Sequence, residues 1–247
     1  MAEGRAIRLP QDVTACLFDM DGVLTDTARV HAEAWKRSFD AFLAEHVGPD
    51  ARPFEVDRDY GPYVDGKPRE DGVRDFLASR DIHLPEGGPD DPPDAATVTG
   101  VGKRKNMLVM ELIEERGVDV CEGSVRFVEA AREAGMATAV VSSSANTVRI
   151  LESAGIADLF DARVDGVTIA EEGLRGKPAP DSFLRGAELL GVAPASAAVF
   201  EDAIAGVAAG RAGGFAVTVG VDRHGDPDAL REHGADVVVS DLSELLG

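Results

Sequence analysis

Apolar residues recur along this chain in two rhythms. Val13, Ala15, Leu17 and Phe18 make a short apolar run, about 13–18, that stops at Asp19, with Asp21 and Gly22 close behind. A run of that length bounded by polar residues reads as a buried strand. "ARVHAEAWKRSFDAFLAEH" (28–46) changes the rhythm: Trp35, Phe39, Phe42 and Leu43 fall at i, i+4, i+7 and i+8, the stripe of an amphipathic helix. The same period marks 69–80 and 106–117, and the Pro-, Gly- and Asp-rich stretch 84–102 between them reads as a loop.

From Cys121 onward the two rhythms alternate. Residues 122–135 read as a helix, "MATAVVSS" (136–143) as a strand opening into Ser142–Ser144, and "ANTVRILESAG" (145–155) as a helix ending at Gly155. "ASAAVFED" (195–202) repeats the apolar run ending in acids, and "AIAGVAAGRAGG" (203–214) is helical. "FAVTVG" (215–220) and "ADVVVS" (235–240) are further strands. Strands alternating with helices predict an α/β fold with a doubly wound parallel sheet. Residues 28–112 carry helices and no convincing strand. The expected organisation is therefore a core of 1–27 and 113–247 with an inserted α-helical cap at 28–112, a core with a lid. No internal repeat argues for a solenoid or propeller.

Composition narrows the function classes. The 247 residues are 44% hydrophobic and 28% charged, an ordinary globular balance. The net charge of −20 opposes binding to nucleic acid or to anionic membranes, and requires a local basic pocket for any anionic substrate. Cys16 and Cys121 are the only cysteines and lack CxxC spacing, which argues against a disulfide framework or zinc site. "MAEGRAIRLPQD" has no apolar leader core, and no stretch approaches 18 apolar residues. A cytoplasmic monomer acting on a small molecule, with no nucleic-acid or membrane partner, is the expectation.

Three strand ends carry polar chemistry: Asp19–Asp21, Ser142–Ser144 and Glu201–Asp202. One acidic strand end is commonly a turn or a helix cap. Three on one rim of a parallel sheet, where ligands bind, point to a site. Converging carboxylates raise one another's pKa unless a cation neutralises them, and an oxygen-coordinated hard divalent ion, Mg²⁺, fits the set. Asp19 can then attack phosphorus to give an aspartyl-phosphate, while Asp21 can serve the leaving or attacking oxygen as acid and base. Gly22 lets the backbone turn closely around the site. "GVGKRK" (100–105) lacks the GxxxxGK[ST] spacing of a phosphate loop.

"DMDGVLTDT", "VVSSS", "GKPAPD" and "FEDAIAGVAAG", in that order, resemble the haloacid dehalogenase (HAD) superfamily of phosphotransferases. The resemblance implies Asp19 as nucleophile and metal ligand, and Asp21 as acid/base that also gives its backbone carbonyl to the metal. Ser142, with Ser143, would bind the transferring phosphoryl group and Lys177 would neutralise it. Asp202 would complete the metal site, with Glu201 as a ligand or as its partner. Each has a blander reading: Lys177 as an exposed turn residue before proline, Ser142 as an N-cap of the helix that follows.

"DTARVHAEAWKRSF" with "VDGKPREDGVRDFL" and "KRKN" looks like the β-phosphoglucomutase branch. There Thr27 and His31 would help place the acid/base, and Trp35 would lie near the substrate. Arg69 would grip the phosphate not in transit, Lys105 would lie near the hinge, and Ser144 and Asn146 would complete the distal phosphate site. Taken alone, His31 and Trp35 read as packing residues, Arg69 as a surface charge and Lys103–Lys105 as solvated. Three features depart from that pattern: Ala145 where it often has Lys, Gly72 where it often has Ser, and the acidic Pro-rich excursion 84–97. The leading expectation is a Mg²⁺-dependent mutase interconverting β-glucose 1-phosphate and glucose 6-phosphate through a bisphosphate. The alternatives are a sugar phosphatase on the same core and, more remotely, a non-catalytic sugar-phosphate sensor. A dehalogenase fits the phosphate-type site less well.

Overall fold

The computed structural model describes residues 7–223 and 225–247. The first six residues, part of the stretch read as lacking a leader core, and His224 lie outside the described residues. The chain divides into two compact units, one of Thr27–Gly117 and one of the described residues up to Asp26 with Val118–Gly247. The expected boundary at 113 falls inside a helix, whose last turn stays with the helical unit.

The larger unit is built on six parallel strands: β1 (Ala15–Phe18), β2 (Ala137–Val141), β3 (Ala162–Val164), β4 (Ala197–Glu201), β5 (Val217–Val221) and β6 (Val237–Val239). Their order across the sheet is β3-β2-β1-β4-β5-β6. The chain winds outward from β1 through β2 to β3, then returns to lay β4 on the other side of β1. That reversal leaves a crevice at the carboxyl ends of β1 and β4. All four β1 residues are buried, as a strand covered on both faces requires.

The helical unit opens with α1 (Ala28–His46), then the single turn α2 (Gly61–Tyr63), α3 (Arg69–Ala78) and α4 (Val98–Arg116). The expected helix at 28–46 matches α1 residue for residue. The expected loop 84–102 is shorter than its composition suggested, because α4 starts at Val98. Thr97 caps it by accepting from the Gly100 N–H at 3.0 Å, so a local cap outweighs two helix-weakening glycines. The core of this unit is aromatic: Phe39 stacks on Trp35 at 4.9 Å and lies 4.1 Å from Phe76, with Phe54 against both Phe39 and Phe76.

In the larger unit follow α5 (Glu122–Glu133), α6 (Thr147–Ser153), α7 (Gly166–Glu172), α8 (Asp181–Leu189), α9 (Ile204–Ala212) and α10 (Pro227–Glu232). One sheet face packs Leu17, Val141 and Val199 against Phe183 and Ala187 of α8 and Ala209 of α9. The other presents Phe18 and Phe200 to Phe127 of α5, with ring centroids 4.6–6.2 Å apart. No helix among the described residues is long and apolar enough to cross a membrane.

Candidate active site

Strand register assembles the centre of the site. Phe18 pairs with Val140 of β2 and with Phe200 of β4. One residue further, Asp19 therefore stands between Val141 and Glu201, and its N–H donates to the Phe200 carbonyl at 2.9 Å. Lys177 joins these three positions. Its Nζ donates to Asp19 Oδ1 at 2.5 Å, to Glu201 Oε1 at 2.5 Å and to the Val141 carbonyl at 3.2 Å. The ammonium also lies 4.7 Å from the Phe183 ring centroid. Lys177 is thus a buried, fully engaged cation, and the reading of it as an exposed turn residue falls.

Asp202 follows Glu201, and one carboxylate oxygen each from Asp19, Glu201 and Asp202 lie within 4.8 Å of one another. Gly22 makes room for this cluster. Its φ is +87°, and a Cβ there would sit 1.8 Å from Asp202 Oδ2, so the turn after Asp21 excludes a side chain both by conformation and by space. Glu201 fills the space a Cβ on Gly206 would need. Its Oε2 accepts from the Ala203 N–H at 2.9 Å, so both its oxygens are engaged.

The charges do not balance within this centre. Burial pushes the Asp19 carboxyl well above the usual carboxylate range; Lys177 pulls it down, and Glu201 and Asp21 push it up again. Burial works against the charge on Lys177, yet Asp19 and Glu201 outweigh it and raise its pKa. One ammonium faces several acids. An oxygen-only donor set with surplus negative charge fits a hard divalent cation.

Ser142 lies one residue past β2, buried, its N–H bonded to the Val164 carbonyl at 2.9 Å. Its Oγ accepts from the Ser144 N–H at 3.0 Å, and Ser144 Oγ accepts from the Asn146 N–H at 3.2 Å. The N-cap of α6 is Asn146, so Ser142 shapes the turn before the helix and is not its cap, contrary to the blander reading. Ser143 lies within the same turn and Ala145 is exposed beside it.

In the helical unit, three expected residues come together. Lys105 on α4 donates to His31 Nδ1 on α1 at 3.2 Å and lies 4.9 Å from the Trp35 ring. Thr27 is buried at the start of α1. Arg69, at the first residue of α3, pairs with Glu70 at 2.9 Å and packs along α4 at Gly102. The neighbouring cations are committed elsewhere: Lys103 donates to the Pro89 and Asp91 carbonyls, and Arg104 to the Pro93 carbonyl at 3.2 Å and to Glu45 at 2.9 Å. They pin the Pro-rich excursion to α4 and are not the solvated charges their run suggested. A Cβ at Gly72 would fit tightly, 3.2 Å from Val64 Cγ1 and 3.3 Å from Trp35 Cζ2.

Two participants escaped the motifs. Phe183 beneath Lys177 reads as plain core. Arg223, just beyond β5, reaches the Gly22 carbonyl at 2.6 Å; its signal is a cation at the carboxyl end of a strand.

A family model for haloacid dehalogenase-like hydrolases matches residues 13–214. The chain belongs to the haloacid dehalogenase family. Within it the chain falls in the β-phosphoglucomutase-like branch. It is 58% identical to a β-phosphoglucomutase of Mycobacterium tuberculosis over 98% of this chain and 95% of that protein. Identity to a Bacillus subtilis β-phosphoglucomutase is 36%, covering 94% and 91% of the two chains. A crystal structure of a Clostridium difficile β-phosphoglucomutase superposes with a TM-score of 0.75 at 27% identity, covering 94% of this chain and 93% of that one. This haloacid dehalogenase protein is an enzyme, a phosphotransferase of that type.

Proposed function

We propose that this enzyme is a β-phosphoglucomutase, interconverting β-glucose 1-phosphate and glucose 6-phosphate through a phosphorylated Asp19. The carrying observation is the single level at which Asp19, Lys177 and Glu201 meet, with Asp202 beside them, at the crevice between β1 and β4. The 58% identity to the M. tuberculosis mutase supports the choice of substrate.

An Asp19 carboxylate oxygen attacks phosphorus as the bond to the sugar oxygen breaks. Asp21, two residues on, gives that oxygen a proton as it leaves, then takes one from the incoming hydroxyl on the return. Lys177 lies against the attacking carboxylate, where its charge offsets that of the phosphoryl oxygens. Ser142 hydrogen-bonds the phosphoryl group from the β2 side. Mg²⁺, held by Asp19, Asp202 and the Asp21 carbonyl with Glu201 beside it, would supply the remaining positive charge. In the mutase cycle phospho-Asp19 passes its phosphoryl group to β-glucose 1-phosphate, giving the 1,6-bisphosphate. The bisphosphate then returns its other phosphoryl group to Asp19 and leaves as glucose 6-phosphate. Thr27, His31, Trp35, Arg69 and Lys105 of the helical unit, with Ser144 and Asn146, are assigned to the sugar and the phosphate not in transit. A guanidinium suits that phosphate because it can bond two oxygens at once.

The second reading is a phosphatase in which water takes the place of the sugar hydroxyl. Ala145 favours it, because that exposed turn lacks a cation for the second phosphate. Incubation with β-glucose 1-phosphate, Mg²⁺ and trace β-glucose 1,6-bisphosphate separates the two. Glucose 6-phosphate with little free phosphate is expected; free phosphate without glucose 6-phosphate would establish the phosphatase instead.

A further inference from the structure

Arg223 stands in the turn after β5, outside every motif that marks the site. Its Nε donates to the Gly22 carbonyl at 2.6 Å and its Nη1 to the Ser240 carbonyl at 3.1 Å. Gly22 directly follows Asp21. Within the turn that holds both, the Gly22 N–H bonds the Thr25 carbonyl at 2.7 Å, and the Leu24 and Thr25 N–H groups bond the Met20 carbonyl at 2.9 and 3.0 Å. Its far end is tied to the segment after Gly117, where the Cys121 N–H bonds the Leu24 carbonyl at 2.9 Å. Arg223 ties the near end of this turn, next to Asp21, to a different strand end. In the sheet β4 lies between β1 and β5, so the tie spans two strand spacings, about 9–10 Å. A long side chain with donors in a fixed fork suits that span.

Charge adds to the geometry. No carboxylate among the described residues forms an ion pair with Arg223. Its positive charge lies in a region shared with Asp26, Asp202 and Asp241, all of which act on the Cys121 thiol together with it. Asp19 is anchored separately, by the Phe200 carbonyl and by Lys177. Loss of Arg223 would therefore loosen the Gly22 end of the turn, beside Asp21, and leave Asp19 in place.

We propose that Arg223 is a positioning residue: by holding the Gly22 carbonyl it fixes where Asp21 meets the sugar oxygen. This rests on the reading of Asp21 as acid/base, and that reading supplies a specific signature. A sugar oxygen needs a proton to leave; the carboxylate of acetyl phosphate does not. Arg223→Met keeps the apolar stem and removes the donors. Turnover of β-glucose 1-phosphate should fall roughly 100-fold with KM changed by less than about 3-fold, as for a misplaced catalytic group. Single-turnover phosphorylation of Asp19 by acetyl phosphate should change by less than about 3-fold, since no general acid is needed there. Amide hydrogen exchange in the peptide covering 20–26 should quicken in Arg223→Met in the absence of any substrate. Arg223→Lys, with one donor restored, should lie between wild type and Arg223→Met in both readouts, and Arg185→Ala on the surface of α8 should match wild type. Equal losses with both phosphoryl donors, or unchanged exchange at 20–26 with normal turnover, would overturn the inference. Asp21→Asn distinguishes the layers. If it shows the same donor-selective loss and Arg223→Met does not, only the positioning role fails; if it shows none, the acid/base reading fails as well.

Discussion

The two units fix their polar groups by different means. At the sheet rim, Asp19, Val141 and Glu201 share a level because backbone pairing between β1, β2 and β4 puts them there, and buried Lys177 bonds all three. In the helical unit, His31, Trp35 and Lys105 meet because side chains on α1 and α4 pack around an aromatic core. Arg69 there remains about a quarter exposed and, among the described residues, forms its ion pair with its neighbour Glu70. A hydrogen-bonded ladder tolerates almost no displacement, which suits groups that make and break bonds. Helix packing leaves side chains adjustable, which suits groups that grip a ligand. Replacements at the rim should therefore strike turnover, and those in the helical unit should strike binding or local stability.

The largest effect belongs to Asp19→Asn, which removes the proposed nucleophile. Formation of glucose 6-phosphate should fall by about 10⁴-fold or more, while the thermal midpoint stays near wild type. Survival of turnover would break the assignment of chemistry to the rim. Lys177→Met comes next, because it leaves Asp19 and Glu201 as buried acids without their shared cation. A loss of about 3–5 kcal/mol in urea unfolding is expected, with turnover down about 10²–10³-fold. In the helical unit, Phe39→Ala opens the aromatic core. It should cost about 3–5 kcal/mol of stability, read from the urea midpoint, without altering phosphorylation of Asp19 by acetyl phosphate.

Arg69→Ala sharpens the contrast. Loss of charge-assisted hydrogen bonds worth about 1.5–3 kcal/mol should appear mainly in KM for β-glucose 1-phosphate. A pure turnover effect would move Arg69 into the same class as the rim residues. The smallest effect concerns Asp161, at the far end of the sheet. The Thr138 N–H and Arg132 beside it hold its carboxyl below the usual carboxylate range, with burial opposing. A depressed pKa contributes stability above the ordinary carboxylate value and loses it as pH falls through the lowered one. Asp161→Asn should accordingly cost no more than about 1 kcal/mol at neutral pH, given its half-exposed side chain, and the gap from wild type should close in acid.

The same contrast explains what could be read from the sequence. Strands buried on both faces appear as unbroken apolar runs, so β1, β2, β4 and the polar residues at their ends stood out. The order of the four motifs then tied Lys177 to Asp19 across 158 residues. The start of α4 did not stand out, because Gly100 and Gly102 resemble loop, and the cap that starts the helix at Thr97 is one hydrogen bond. The commitment of Lys103 and Arg104 to the Pro-rich excursion was hidden for a related reason: their partners are backbone carbonyls, which carry no residue identity. Arg223 was missed likewise, since it binds the carbonyls of Gly22 and Ser240. Side chain to side chain chemistry leaves a pattern in the residue types; side chain to backbone chemistry leaves almost none.

The most direct test asks where the phosphoryl group rests. Enzyme charged with β-glucose 1,6-bisphosphate and reduced with borohydride converts an aspartyl-phosphate to homoserine, which peptide mass spectrometry locates. Homoserine at position 19, absent without the bisphosphate, is the expected result. Its appearance at another carboxylate, or its absence from an enzyme that is actively turning over, would contradict a covalent role for Asp19.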